Sequence, residues 1–288
     1  MGIVFENVTY KHNPLLDKKD IDNLSIEIND NNIYGIIGKS GSGKTTFLEL
    51  IDGLIKPLEG KVLIDDININ EDKSIRKNIG FVFQFPEEQF FEQNVKKEIE
   101  FALKNYKVKK EKIKDALKIV GLKEDILNKK LNDLSNGERR MIAILSVLVY
   151  NPKIILFDEP TIGLDYKNKK KIISLIKTLK NRYGKTILIV SHDIDLLYEI
   201  SDNLIKCVIS DERSFEIKIM GNNELEITKL NSNDAETEFN IRLYDILGEE
   251  NEYVLYEENN LVGTWSTKYV YKDMGGGDFW KTEEHQID

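Results

Sequence analysis

The chain holds a single cysteine, Cys207, among 288 residues. An internal disulfide is excluded, and a reducing compartment is compatible with that usage. Long apolar runs are also missing. The longest near the middle, "MIAILSVLV" at 141–149, is far shorter than the roughly 20 residues of a spanning helix. The first residues, "MGIVFENVTY", have no basic start and no long apolar core, so no signal peptide is expected. Phe5 and Glu6 do not supply the Ser or Thr that a myristoylated Met-Gly start wants at position six. No basic block is present, which argues against nucleic acid as a partner.

What is present is uneven. Residues 211–288 carry 19 acids and 7 bases, whereas residues 1–210 carry 31 acids and 34 bases. Both tryptophans fall in the second part. This shift sets an expected boundary near residue 210, between a main domain (1–210) and an acidic C-terminal extension (211–288).

Hydrophobic period gives the order of elements. "GIVFENVTY" and "LSIEIND" alternate as half-buried strands, and "NNIYGIIG" is a short apolar strand stopped by glycine. "KTTFLELIDGL" has helical spacing and "GKVLIDDINI" returns to strand. A helical block follows, about 93–150, ending at Asn151-Pro152. "KIILFDEP" and "KTILIVSHD" read as buried strands separated by the amphipathic helix "NKKKIISLIKTLKNRYG". Apolar strands alternating with helices predict an α/β fold with a parallel-rich sheet, an alternating N-terminal β region and an inserted helical subdomain. Within 212–288, "SFEIKIM", "ELEITKL" and "EYVLYEENNLVGTWSTKYVYKD" predict short strands, so the extension is expected to be β-rich.

The chemistry concentrates at four places. "GKSGSGKTT" (Gly38, Lys39, Ser40, Gly41, Ser42, Gly43, Lys44, Thr45, Thr46) lies between a strand and a helix. Its glycines let backbone N–H groups turn toward phosphate oxygens, and the helix N-terminus adds a positive dipole end. Lys44 would reach the β/γ-phosphates and the Thr45 hydroxyl would sit on Mg²⁺. Asp158 and Glu159 end a buried strand, where an open α/β sheet binds ligand; Asp158 suits Mg²⁺ and Glu159 suits a general base. His192 ends the next strand, either as a structural residue or as a γ-phosphate contact. "LSNGERR" (134–140) opens a helix: Ser135 and Glu138 can form a capping box, or the same free N–H groups can bind an anion. Finally, "FVFQFPEEQFFEQ" (81–93) follows a strand with Gln84 and then an aromatic, acidic corner. Gln84 could touch Mg²⁺ and the attacking water.

In their order along 3–210, these motifs resemble the ATPase subunits of ATP-binding cassette (ABC) transporters, a P-loop NTPase fold. "GKSGSGKTT" looks like their phosphate loop, Gln84 their Q-loop glutamine and "LSNGE" their signature loop. "IILFDEP" looks like their second nucleotide motif, "GLD" with Asp165 their D-loop, His192 their switch histidine and Tyr10 their adenine-stacking aromatic. The resemblance implies ATP and Mg²⁺, and a head-to-tail pair in which Ser135 and Gly137 serve the partner's nucleotide. Asn136 and Glu138 depart from the usual LSGGQ signature and bear on the strength of that composite site.

"FVFQFPEEQFF" and "NGERRMIAILSVLVYNP" look most like the ATPases of energy-coupling factor transporters, importers of vitamins and metal ions. That implies a peripheral subunit on the cytoplasmic face of the membrane. Its partners would be a second ATPase, a transmembrane coupling protein and a substrate-binding membrane subunit. Glu87, Glu88 and Glu92 would meet basic coupling helices, over an apolar floor of Phe85, Phe90 and Phe91. The bland alternative places these phenylalanines in the core under the helical block. Other readings are the ATPase of a different ABC transporter, a soluble ABC ATPase of translation or DNA repair, and an ATP-binding regulatory subunit with little turnover. No function follows from the resemblance for residues 212–288.

Overall fold

The structure, a computed structural model, describes residues 2–13, 19–38 and 40–207, together with five C-terminal strands. Two sheets form it. The smaller is antiparallel, in the order β2-β1-β4-β5: β1 (Ile3–Tyr10), β2 (Ile21–Ile28), β4 (Glu59–Ile64) and β5 (Ile67–Asn68). The larger contains β3 (Ile33–Ile37), β6 (Ile79–Val82), β7 (Ile154–Asp158), β8 (Thr186–Val190) and β9 (Asn203–Lys206), ordered β6-β7-β8-β3-β9, and every neighbouring pair is parallel.

The central strands are apolar throughout because both faces are covered. Side chains alternate between the faces. Ile33, Ile37, Ile155, Phe157, Ile187 and Ile189 point to one core cluster, which they share with the helices. Tyr34, Ile36, Ile154, Leu156, Leu188 and Val190 point to the other, which they share with the small sheet and α1 (Lys44–Asp52). Phe5 of β1 stacks on Phe47 of α1 with centroids 4.7 Å apart, fixing the small sheet over that helix.

The helical layer comprises α2 (Val95–Tyr106), α3 (Lys112–Val120), α4 (Asn136–Leu148), α5 (Tyr166–Tyr183) and α6 (Ile194–Ile200). The helical stretch 95–120 is broken once, at Lys107, which caps α2 in the left-handed region (φ 54°). Gly184, the expected end of α5, sits at φ 59° and donates its N–H back to Lys180 O. That is the stop a left-handed glycine provides.

Beyond β9 the large sheet continues as β10 (Phe215–Met220), β11 (Glu224–Lys229), β12 (Glu252–Asn259), β13 (Gly263–Asp273) and β14 (Phe279–Ile287). β10 pairs antiparallel with β9, and β11 lies parallel to β12.

Candidate functional site

The parallel order decides where the motifs meet. β3, β6, β7 and β8 run the same way, so the residues after each strand emerge at one sheet edge. Gly38 follows β3, Gln84 follows β6, Asp158 and Glu159 end β7, and Ser191 and His192 follow β8. Residues up to 154 positions apart in sequence (Gly38 and His192) therefore share the edge where open α/β sheets take ligands.

The phosphate loop is built by backbone geometry. Gly38 (φ 149°), Gly41 (φ 78°) and Gly43 (φ 86°) occupy conformations that L side chains rarely adopt. A Cβ on Gly38 would lie 2.3 Å from the Cys207 carbonyl oxygen, whereas one on Gly41 would meet nothing within 4 Å. Lys44 is buried and donates from Nζ to Gly38 O at 2.7 Å, folding the loop over its own ammonium. Burial lowers its pKa, and the charges of Glu159 and Asp158 work against that fall. Ser40 and Gly41 form the exposed turn, and Thr46 is buried within α1. Lys39 lies outside the described residues. Tyr10 is brought toward the loop by a short bridge: Asp20 N donates to Tyr10 O at 3.0 Å, and Gly43 abuts Asp20 O. The Tyr10 ring meets His12 edge-on at 5.1 Å.

Facing the loop, Thr45 Oγ1 donates to Asp158 Oδ2 at 3.0 Å. Asp158 and Glu159 are both buried, and desolvation raises both carboxyl pKa values. Lys44 and His192 oppose the rise at each, and the Thr45 bond opposes it at Asp158. Glu159 stands at φ 48°, a costly place for a non-glycine residue, held by its N–H to Val190 O at 2.9 Å. Its Oε2 accepts from Ser191 Oγ at 3.5 Å, and its Oε1 lies 3.6 Å from His192 Nε2. His192 is 61% exposed at the side chain, so its ring reaches into the open site.

The signature segment does what local sequence left open. Ser135 caps α4 with a complete capping box: Glu138 N donates to Ser135 Oγ at 3.3 Å and Ser135 N donates to Glu138 Oε2 at 2.9 Å. Those bonds hold the Glu138 carboxyl below the usual glutamate range, with Lys129 adding to the effect. Gly137 packs against Asn168; a Cβ there would lie 2.5 Å from Asn168 Nδ2. Asn168 in turn donates to Asp165 Oδ2 at 2.8 Å, and Asp165 caps α5. The signature and D-loop residues of one chain are thus in contact through Asn168, a residue that sequence reasoning passed over.

Gln84 is exposed just past β6. Phe85 follows in the left-handed region (φ 50°), and Pro86 to Gln89 form a short 3-10 turn. The acids then divide. Glu87 turns inward, both carboxylate oxygens on Arg140 at 2.7 and 2.9 Å. Glu88 is exposed and Glu92 half-buried. The aromatics divide too. Phe90 packs on the helical core and Phe85 is at the surface. Phe91 is 77% exposed and touches Phe101, also exposed, at 5.3 Å. Phe101 carried no signal in the sequence beyond its place on α2.

The site fits a nucleotide and its metal by two observations. Ser42 Oγ in the phosphate loop and Glu159 Oε1 across from it are buried side-chain atoms without a hydrogen-bond partner. Such atoms in native proteins answer to a ligand or water. Among the described residues no group of three or more His, Cys, Asp or Glu is arranged to hold a metal ion by itself. The donors at hand, Thr45 and Asp158, suit an ion completed by phosphate oxygens and water.

Phosphate loop, paired carboxylates and inserted helices on one parallel sheet define an ATP-binding cassette ATPase. A family model described as "ABC transporter" matches residues 21–162. An energy-coupling factor transporter ATP-binding protein of Clostridium acetobutylicum is 39% identical over 227 residues, covering 73% of this chain and 79% of that protein. One from Oenococcus oeni is 42% identical over 217 residues, covering 71% and 75%. The chain belongs to this family of energy-coupling factor ATP-binding proteins and is an ATP-hydrolysing ABC subunit. Among solved structures, cbiO1 from Clostridium perfringens, described as part of the ABC transporter complex cbiONQ, superimposes with TM-score 0.65 at 29% identity, covering 72% of this chain and 86% of that one. A dimeric ATP-binding cassette bound to ADP and Pi superimposes with TM-score 0.64 at 32% identity, covering 76% and 99%. Among the described residues no helix is long and apolar enough to cross a membrane.

Proposed function

We propose that the chain hydrolyses MgATP as one half of a head-to-tail pair and delivers the motion through the segment after Gln84 to a membrane importer. The observation that carries the chemistry is the Glu159 carboxyl. It is fixed at the end of β7, in one site with Lys44, Thr45 and Asp158, and its Oε1 has no hydrogen-bond partner. A base held there can accept the proton of an attacking water, with His192 beside it at the open face. Thr45 and Asp158 would hold Mg²⁺, with Gln84 reaching it from β6; the ion supplies charge neutralisation for the phosphates. Lys44 and the loop N–H groups bind the phosphates, and Tyr10 stacks on the base.

The partner reading rests on exposed surface and on the relatives. cbiO1 is described as part of a transporter complex. Phe91 and Phe101 present an apolar pair beside Glu88 and Glu92, a surface suited to a basic amphipathic helix of a transmembrane protein. Glu87 supports this surface from beneath, through Arg140. The subunit then sits peripherally at the cytoplasmic face, and a separate membrane subunit binds the solute. Residues 1–210 are read as the ATPase domain and 211–288 as a β-rich extension, on the shift to an acidic composition near residue 210.

The test is reconstitution. With its membrane partners, Glu159→Gln protein should bind ATP and fail to hydrolyse it. Phe91→Ser with Glu88→Lys should leave nucleotide binding intact and prevent co-purification with the transmembrane partner. Loss of ATP binding in the isolated docking variant would remove that surface from consideration, and unchanged hydrolysis in Glu159→Gln would remove the base.

A further inference from the structure

Arg140 is the largest fully buried side chain among the described residues, at 1% exposure on the second turn of α4. Removing a guanidinium from water is costly unless its donors are met, so such a group persists where each of its nitrogens is engaged. Here each of them is. Its Nε and Nη2 donate to the two Glu87 oxygens, a forked pair that is strong and directional. Nη1 donates to Pro160 O at 3.0 Å and Nη2 also reaches Ile162 O at 3.4 Å. The Phe85 ring lies 5.8 Å from its Cζ.

These acceptors sit beside the two strained turns of the site. Phe85, at φ 50°, directly follows Gln84 and precedes Glu87 by two residues. Glu159, at φ 48°, directly precedes Pro160. A non-glycine residue in that region is strained and is kept only where its surroundings over-determine it. Arg140 supplies that fixation to both turns at once, from a helix whose first residues form the signature segment.

We infer that Arg140 is a positioning residue for hydrolysis: through Glu87 and through the Pro160 and Ile162 carbonyls it holds the Gln84 turn and the Glu159 turn in one register. Its hydrogen bonds run to Glu87 and to those two carbonyls, so it acts through the turns they belong to. Glu87 is the second half of the device, and the signature helix is its frame. A shift of α4 on pairing would move both turns together rather than one.

The full-length chain carries the test, as Glu87→Gln, Arg140→Lys and the double variant. Amide hydrogen exchange should quicken at least about 5-fold in 159–165 of Glu87→Gln, although the hydrogen bonds of the Glu87 carboxylate go to Arg140 and not to that loop, while 38–46 keeps wild-type protection. The kcat for MgATP should fall about 10-fold or more in Arg140→Lys with KM within about 3-fold, because a small misplacement of reacting groups acts on the chemical step. The two changes should be strongly non-additive in the double variant. The inference is overturned if 85–92 alone loosens, if exchange rises uniformly along the chain, or if KM rises with kcat unchanged. Should Arg140→Lys not fold, the exchange pattern of Glu87→Gln decides alone.

Discussion

Glu159 Oε1 lies 3.6 Å from His192 Nε2, and burial with proximity to Asp158 pushes the Glu159 pKa upward against the pull of His192. Removing His192 therefore removes an attraction that favours the ionised base. In His192→Ala the acid limb of the kcat/KM profile should move to higher pH, since the base must be deprotonated to act. Glu159→Gln should lose about 100-fold or more in kcat while still binding ATP. A pH profile unmoved by His192→Ala would show that the two side chains do not act on one another.

Lys44 offers a cleaner separation of binding from chemistry. Its ammonium closes the phosphate loop on Gly38 O at 2.7 Å. Lys44→Ala should weaken ATP binding by about 100-fold or more, given that a charge-assisted contact in a dry site is lost and a buried carbonyl is left bare. Equilibrium binding of a fluorescent ATP analogue measures this. Near-normal binding with lost turnover would place Lys44 in the chemical step instead.

The fold and the residues of the candidate nucleotide site were readable because their signals are local. A strand, glycines at fixed spacing, Lys44 and Thr45 sit within a dozen residues, and each has one backbone use. Asp158 and Glu159 end an apolar run that can only be a buried strand. The corner after Gln84 was less readable. Phe90 and Phe91 are adjacent in sequence yet one packs on the core and the other lies open, a choice made by the turn at Pro86 to Gln89 and by α2 beneath it. Glu87 and Glu88 are likewise adjacent, and only tertiary contact with Arg140 separates them. An arginine in a basic pair on an amphipathic helix carries no mark that it will be buried. Asn168 gave no signal either, because its partner Gly137 lies 31 residues away and across two elements.

That Gly137–Asn168 contact makes a steric prediction. Gly137 is helical, so alanine suits its backbone, but the new Cβ would fall 2.5 Å from an amide tied to Asp165 and 2.6 Å from its Cγ. Overpacking of this kind costs about 1–3 kcal/mol. Gly137→Ala should lower the melting temperature and the ATPase rate of the paired subunits, with ATP affinity of the single subunit unaffected. Adding Asn168→Ala should restore the melting temperature. Failure of that second change to restore it would mean the clash is not with Asn168.

The remaining prediction concerns pH and lies away from the site. Asp52 ends α1, where the helix dipole is negative, and burial lifts its pKa from 3.8 to about 6 against the attraction of Arg76. Arg76 itself is spent on main-chain oxygens: Nε donates to Asp52 O at 2.8 Å and Nη2 to Gly53 O. A carboxyl with a raised folded-state pKa holds its proton in the native state after the unfolded chain has lost it. Between pH 3.8 and about 6 the native state binds more protons, so stability falls as pH rises through that window and is level above it. At neutral pH the ionised Asp52 is thus a standing cost, on the order of 1–3 kcal/mol. Asp52→Asn keeps the shape and the Arg76 bonds to the main chain while removing the charge. It should raise the unfolding midpoint by several degrees at pH 7.5, with no gain below pH 4, and its stability should be flatter across pH 4–6 than that of the parent chain. Denaturant unfolding at pH 4.0, 5.0, 6.0 and 7.5 reads this directly. An equal gain at every pH would locate the effect in helix capping instead of the carboxyl's charge.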